Sequence, residues 1–445
     1  MLNEFDINEC IDNLYPDTLH LDEDIINIQN WIMQVQSSDV NSELFTKLIN
    51  KLQICHSQIV FYPDSHIKSK LDRLQFVVQI ARACSSFIKR DSDMKILIDL
   101  LLSILKRDSD SNCLLASNCI IEILNQNRIN DAKVSTDIVK KTAKCFCAIA
   151  LIIVKDLSIN LLPLTTSGLS SSNTDKTIIK SNSVVINTGQ SHFLLTDLFF
   201  HLGYLFCYHQ DAVRDDVTKF MELFIQWLPN SLVLISQLSN DNPIVAHKIH
   251  HLALRGISFI ACVIKTSVPR IETDIVKIID LTISLLRQSP VGTAASIRRD
   301  SLTAIRELYA SSLSDKAQHR HSLIQLLDDK LLFGKCYHDR YSLRAFVFTT
   351  IADFFTGKQA ACSKDIYDTV FDFFLNQITD HTLPVQAFTV CLKIQFSILD
   401  KYATTLRLIS GQNEYLPIGD LYSRLLSVLN YKLHNMSKFS VDVIR

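Results

Sequence analysis

Apolar residues recur at three- and four-residue spacing along almost the whole chain. In residues 24–35 (DIINIQNWIMQV) they fall at Ile25, Ile28, Ile32 and Val35, one stripe of a helix. Residues 41–59 repeat the pattern with Leu44, Leu48, Leu52 and Ile59. Residues 93–105 and 112–124 form a close pair across KRDSDS, a polar turn that offers N-caps to the second helix. The same periodicity predicts helices over 133–154, 192–208, 215–228, 243–265, 272–286, 295–313, 315–327, 341–355, 364–378, 383–401 and 422–436. Strand-like alternation bounded by Gly or Asn-Gly is absent, so no hairpin is predicted.

The pattern predicts an all-α chain: helices of roughly 12–22 residues joined by short polar turns. Paired helices with a unit of about 40–47 residues are the mark of HEAT and armadillo-like solenoids. One helix pair carries an apolar face that it cannot bury alone, and stacking the next pair covers it. One or two ordinary helical bundles are the competing arrangement; the length and uniformity of the pattern favour the helical-repeat solenoid. Weak identity between units suits HEAT repeats better than a stricter repeat such as ankyrin. The expected organisation is N-terminal helical repeats over 1–163, a flexible loop over 164–190, and repeats continuing the solenoid over 191–445, truncated at the C-terminus. The loop, LTTSGLSSSNTDKTIIKSNSVVINTGQ, is rich in Ser, Thr and Asn. It reads as a tolerated expansion, since long loops cost little extra entropy, or as a partner-binding or phosphorylated insert.

Composition narrows the picture. With 445 residues, 47% of them hydrophobic and 20% charged, and a net charge of −1, the chain has the makings of a folded, soluble protein and not of a disordered one. Only nine glycines and nine prolines occur. Sheet-rich folds, dinucleotide-binding units and phosphate loops all spend glycine on turns and close backbone approach, and an average chain has about 7% of it. Basic residues come in short pairs, Lys140-Lys141 and Arg298-Arg299, without a stripe, so no direct nucleic-acid binding is expected. The twelve cysteines sit in apolar runs such as Cys145-Phe146-Cys147-Ala148, the usage of a reduced intracellular protein. The N-terminus, MLNEFDINECID, does not read as a signal peptide. The most hydrophobic window, residues 145–154, is too short to span a bilayer, so no membrane is expected.

Candidate chemistry is sparse. Gly334-Lys335 and Gly357-Lys358 lack the upstream glycine and following hydroxyl of a P-loop, and no G-x-S-x-G, H-R-D or D-F-G string occurs. The best metal-like cluster is His247, His250 and His251, but no acidic residue shares their helix. A polar helix face or repeat groove is the expected setting. His319 with His321, and Cys336 with His338, are weaker; Cys145 and Cys147 are expected in the core. Ser301, after Arg298-Arg299-Asp300, has the pattern of a basophilic-kinase site, with helix capping or solvent exposure the plainer expectation. No catalytic, cofactor-binding or metal residue is predicted.

Residues 296–401 carry the most specific signal. Arg298-Arg299-Asp300-Ser301-Leu302 and Ala304-Ile305-Arg306 begin a helix. Leu327-Asp328-Asp329 and Leu332-Phe333-Gly334 form a loop, and Leu343, Arg344, Phe346, Phe348, Thr349, Ile351, Ala352 and Asp353 mark a second helix. In this succession the stretch resembles the N-terminal HEAT-repeat region of the transformation/transcription domain-associated protein family, the pseudokinase branch of the phosphatidylinositol 3-kinase-related kinases. Ala345 stands where the family has proline, Thr356-Gly357 where it has a His pair, and Lys335-Cys336 follows Gly334 in place of a second glycine. Residues 114–127 and 192–210 look like earlier repeats of the same kind. The chain reads as a divergent member.

The resemblance implies a non-enzymatic scaffold: part of a large nuclear coactivator subunit of SAGA-type histone acetyltransferase complexes, whose solenoid contacts transcription activators and other subunits. Partners would be proteins, with no small-molecule substrate and no cofactor. Arg445 follows a helical pattern without an evident capping unit, so a fragment of a longer protein is expected. The alternatives are an importin-like or coat-like HEAT adaptor in transport, which shares the architecture, and an α-helical enzyme, which would need His247, His250 and His251 to converge with an acid. Interface residues are sought in residues 164–190 and in exposed aromatics near Phe333 and Tyr337.

Overall fold

In a computed structural model of the chain, the periodicity becomes helix. The structure describes residues 4–15, 27, 28, 30, 42–60, 75–83, 91–107, 110–129, 135–161, 191–266, 272–289, 295–311, 322–333, 337–356, 364–380, 383, 385–410 and 416–434. Among these residues every regular element is helical and no strand occurs. The helices are α1 (Glu4–Asp12), α2 (Ser42–Val60), α3 (Asp91–Arg107), α4 (Asp110–Ile129), α5 (Thr136–Leu161), α6 (Ser191–Tyr208) and α7 (Gln210–Asp241). Then follow α8 (Pro243–Thr266), α9 (Glu272–Arg287), α10 (Ala295–Ser311), the short α11 (Asp329–Phe333), α12 (Tyr337–Thr356), α13 (Lys364–Thr379), α14 (Val385–Ser410) and α15 (Leu416–His434). The chain divides into two units, Met1–Phe224 and Ile225–Arg445.

Local chemistry sets several boundaries. Asn242 caps α8: its Oδ1 accepts from the Val245 N–H at 3.3 Å, and Pro243 opens the helix where its missing N–H costs nothing. Helix α3 buries Met94, Leu97, Ile98, Leu101, Leu102 and Leu105, a stripe at three- and four-residue spacing.

In the second unit the helices alternate between two rows. Helix α8 packs on α10, α10 on α12, and α12 on α14. In the other row α9 packs on α11 and α13 on α15, while Gln377 of α13 donates to Asp329 of α11 at 2.8 Å. In the first unit α3 packs on α5 and α4 on α6 in the same every-other-helix manner. That register belongs to a stack of helix pairs, each covering the apolar face of the one before. The fold is a HEAT-type helical-repeat solenoid, as the sequence predicts.

Aromatic side chains fill the seams. Phe348 of α12 meets Phe333 of α11 edge-on at 6.1 Å and Phe374 of α13 at 5.5 Å, with no exposed surface of its own. Phe199 of α6 meets Phe224 of α7 at 4.9 Å.

Three expectations change. Helix α7 was expected to stop at Leu228, before Pro229, yet it runs to Asp241. Proline removes one helical hydrogen bond at a cost of roughly 3 kcal/mol. Trp227, Leu228, Leu234, Ile235 and Leu238 are all buried on either side of it, and each contributes about 1.5–3 kcal/mol in compensation. Helix α1 and the helical residues 75–83 were not predicted. Most of residues 24–35 and 315–327, and all of the 164–190 segment, lie outside the described residues. No helix among the described residues is long and apolar enough to cross a membrane.

Replacing Phe348 by Ala opens a cavity at this seam and is expected to lower stability by about 3–5 kcal/mol in urea denaturation. Phe396→Ala, at a half-exposed position on α14, should change it by under about 0.5 kcal/mol.

Candidate functional site

Several side chains of the 296–401 stretch serve as ties between helices. Arg298 is buried, and its guanidinium donates to the Leu331 carbonyl at 2.8 Å, joining α10 to α11. Arg299 lies over the Phe346 ring at 5.1 Å, joining α10 to α12. Asp300 pairs with Arg255 of α8, and Arg306 reaches Asp353 of α12 at 3.9 Å. Tyr309 donates its hydroxyl to the Phe354 carbonyl at 3.2 Å.

Arg344 is the deepest of these ties. It is 1% exposed, the bulkiest of the fully buried side chains, and pairs with Asp380 just past the end of α13. Lys432 of α15 comes to the same helix end and donates to the carbonyls of Ile378 and, at 3.2 Å, Asp380. A cation among the last carbonyls of a helix is where the helix dipole favours one. Burial still pulls the Lys432 ammonium below its usual pKa, against the upward pull of Asp380. Three helices are thus tied at one corner, and no reacting group is presented to solvent there.

The histidine cluster separates. His250 is fully buried; its Nε2–H donates to the Leu285 carbonyl of α9 at 2.8 Å. Burial holds its pKa down to about 4, with a smaller upward pull from that hydrogen bond. His247 and His251 are half-exposed on the same helix. Among the described residues no three His, Cys, Asp or Glu side chains come together as a metal ion would need. Cys145 and Cys147 lie in the core, as expected, and burial pushes the Cys147 thiol up to about 12.

Two expectations are corrected. Ser301 is neither a cap nor exposed: it is buried in the middle of α10 and donates to the Ile297 carbonyl at 2.7 Å, closed to any kinase in the folded chain. Phe333 is not a surface aromatic but is 1% exposed, against Phe348. The side chains of Tyr337, Cys336, His338, His319 and His321 lie outside the described residues. What the sequence did not flag is an aromatic stripe on α6, where Phe193, Phe200 and Tyr208 are each more than half exposed. A large apolar patch on a helix that already has a buried face is the usual sign of a binding surface.

Arg344→Ala leaves Asp380 without its buried partner, and a loss of about 3–5 kcal/mol is expected in chemical denaturation. Arg306→Ala removes a partly exposed pair and should cost under about 1 kcal/mol. His250 adds a pH dependence. The unfolded imidazole, near 6.5, binds a proton that the folded one, near 4, refuses. Its contribution of about 3 kcal/mol is therefore fully present above pH 6.5 and is lost as pH falls toward 4. His250→Gln should flatten that part of the stability profile, measured by denaturation between pH 7 and 4.

Residues 247–445 match the family model described as the Tra1 HEAT repeat central region. The chain is 22% identical over 376 residues to transcription-associated protein 1 of Drosophila melanogaster, an alignment covering 79% of this chain and 10% of that protein. It is 22% identical over 191 residues to the human transformation/transcription domain-associated protein, covering 43% of this chain and 5% of that protein. The zebrafish (Danio rerio) protein of the same name is 23% identical over 193 residues, covering 42% of this chain and 5% of that protein. The chain thus spans a tenth or less of the length of these relatives. A circular tandem repeat protein of solved structure aligns over 97% of this chain and 95% of its own at 11% identity, with a TM-score of 0.25 that bears no weight. The matched model describes the central region of the repeats, where the resemblance had pointed to the N-terminal part. Stacked helix pairs, with several markers of the 296–401 stretch among their ties, and these matches support a HEAT-repeat region similar to that of the transformation/transcription domain-associated protein family.

Proposed function

We propose that the chain is a non-enzymatic protein-interaction scaffold, part of a nuclear transcriptional coactivator subunit in SAGA-type histone acetyltransferase complexes. It contacts activators and other subunits through the surfaces of its stacked helices. The observation that carries this reading is the match of residues 247–445 to a repeat region of transcription-associated proteins. The geometry supports it: Arg298, Arg299, Asp300, Arg306 and Arg344 are spent on holding helices together, and such a stack offers its surface to partners. On this reading both 1–163 and 191–445 are made of helical repeats. Protein partners suffice for this role, without a small-molecule substrate, nucleic acid or membrane.

Affinity purification of the full-length native protein from nuclear extract tests the reading. Histone acetyltransferase subunits are expected among the recovered proteins by mass spectrometry. Recovery of a small GTPase or vesicle-coat proteins in their place would show a transport adaptor and overturn it.

A further inference from the structure

Helix α6 is apolar nearly all round, and two of its faces have different fates. Leu194, Leu195, Leu198, Phe199, Leu202, Leu205 and Phe206 are buried. Phe193, Phe200 and Tyr208 are 58%, 73% and 52% exposed. With half-buried Tyr204 these aromatics follow one another at spacings of seven, four and four residues, a single stripe about 22 Å long.

The stripe is held in place from behind. Tyr204 donates its hydroxyl to Asn125 of α4 at 3.2 Å, and its ring lies 4.8 Å from that of Tyr208. His201 donates from Nε2 to Asn118 of α4 at 3.1 Å, and burial keeps this ring neutral, with a pKa of about 4. These bonds fix rotamers before any partner arrives, which lowers the entropic cost of binding.

Asp197 sits inside the stripe, four residues after Phe193 and three before Phe200. Its carboxyl is half-buried; burial raises its pKa, and a hydrogen bond from Asn118 pulls the other way. Among the described residues it forms no ion pair, and α6 contains no Lys or Arg. The neighbouring ridge of α4 offers Asn118, Asn125 and Glu122, the last held by Arg82 at 3.3 Å. The surface therefore joins exposed rings to a carboxylate that lacks a cation.

We propose that this face of α6 docks an amphipathic helix of a partner protein, with a Lys or Arg of that helix meeting Asp197 between the rings of Phe193 and Phe200. A guanidinium or ammonium there gains a charge-assisted hydrogen bond and two ring faces at once, and apolar side chains a turn away cover Tyr204 and Tyr208. An acidic helix would set like charge against Asp197 and is rejected. The proposal rests on the chain being a protein-binding scaffold and names the chemistry of one partner.

The test uses two probe peptides of about four helical turns, with leucines at three- and four-residue spacing flanked by arginines in one and by glutamates in the other. Fluorescence anisotropy with the full chain should show the arginine peptide binding at least about tenfold more tightly than its counterpart. Asp197→Asn should remove most of that preference, and Phe200→Ala should weaken the arginine peptide about tenfold, with far-UV circular dichroism unchanged. Phe396→Ala, on α14, should leave binding as it was. Equal binding of both peptides, no binding of either, or binding unmoved by both α6 variants would overturn the proposal. If the peptides fail while acetyltransferase subunits still co-purify, the docking face falls and the scaffold stands. If the arginine peptide binds as described and no such subunit is recovered, the docking face stands and the coactivator assignment falls.

Discussion

A helix with one apolar face must have it covered, and here the cover comes from a helix one repeat further along the chain. The spacing of side-chain ties shows this directly. Arg82 and Glu122 are 40 residues apart, Lys141 and Asp99 are 42, Arg255 and Asp300 are 45, and Tyr309 and Phe354 are 45. These separations reproduce the unit of about 40–47 residues expected of stacked HEAT pairs. Each pair contributes its burial to the next, so stability is shared between neighbouring pairs.

Buried polar groups set the register of that stacking. Arg298, Lys432 and Gln395 each donate to a backbone carbonyl of another helix, and His250 does the same with a neutral ring. A slip of one turn would strand each donor in an apolar seam, at a cost of about 1–3 kcal/mol and more for the charged ones. Apolar contacts alone tolerate such slips far better. Arg298 and Arg344, among the residues by which the 296–401 stretch resembles its family, are register pins of this kind, and apolar markers pack in the seams between them. Ser301 and Phe333 lie in seams between helices, one spending its hydroxyl on its own helix, the other packed ring to ring.

Much of this was legible because a helix of an average repeat is polar on one side, as in α3. Legibility failed where that condition fails. Helix α1 has nine residues, and with Ile11 buried it offers too few turns to establish a period. Pro229 reads as a stop, and only burial on both sides of it shows why the helix continues. Helix α6, SHFLLTDLFFHLGYLFCY, is hydrophobic on every side, so its periodicity could not tell Phe199, in the core, from Phe200, in water. That choice belongs to the neighbours, α4, α5 and α7. The same holds for the buried ions: nothing local to Arg344 announces that Asp380 and the end of α13 will close over it.

Zero-length carbodiimide cross-linking of the native chain, read by peptide mass spectrometry, addresses the stacking most directly, because it joins only an amine and a carboxylate already in contact. Stacked pairs predict amide links between Lys47 and Asp12, Lys141 and Asp99, and Lys265 and Glu307, which lie 2.7, 2.5 and 3.1 Å apart, each about one repeat away in sequence. Links from these lysines only to carboxylates of their own helix, or to positions many repeats distant, would contradict the stacked-pair architecture.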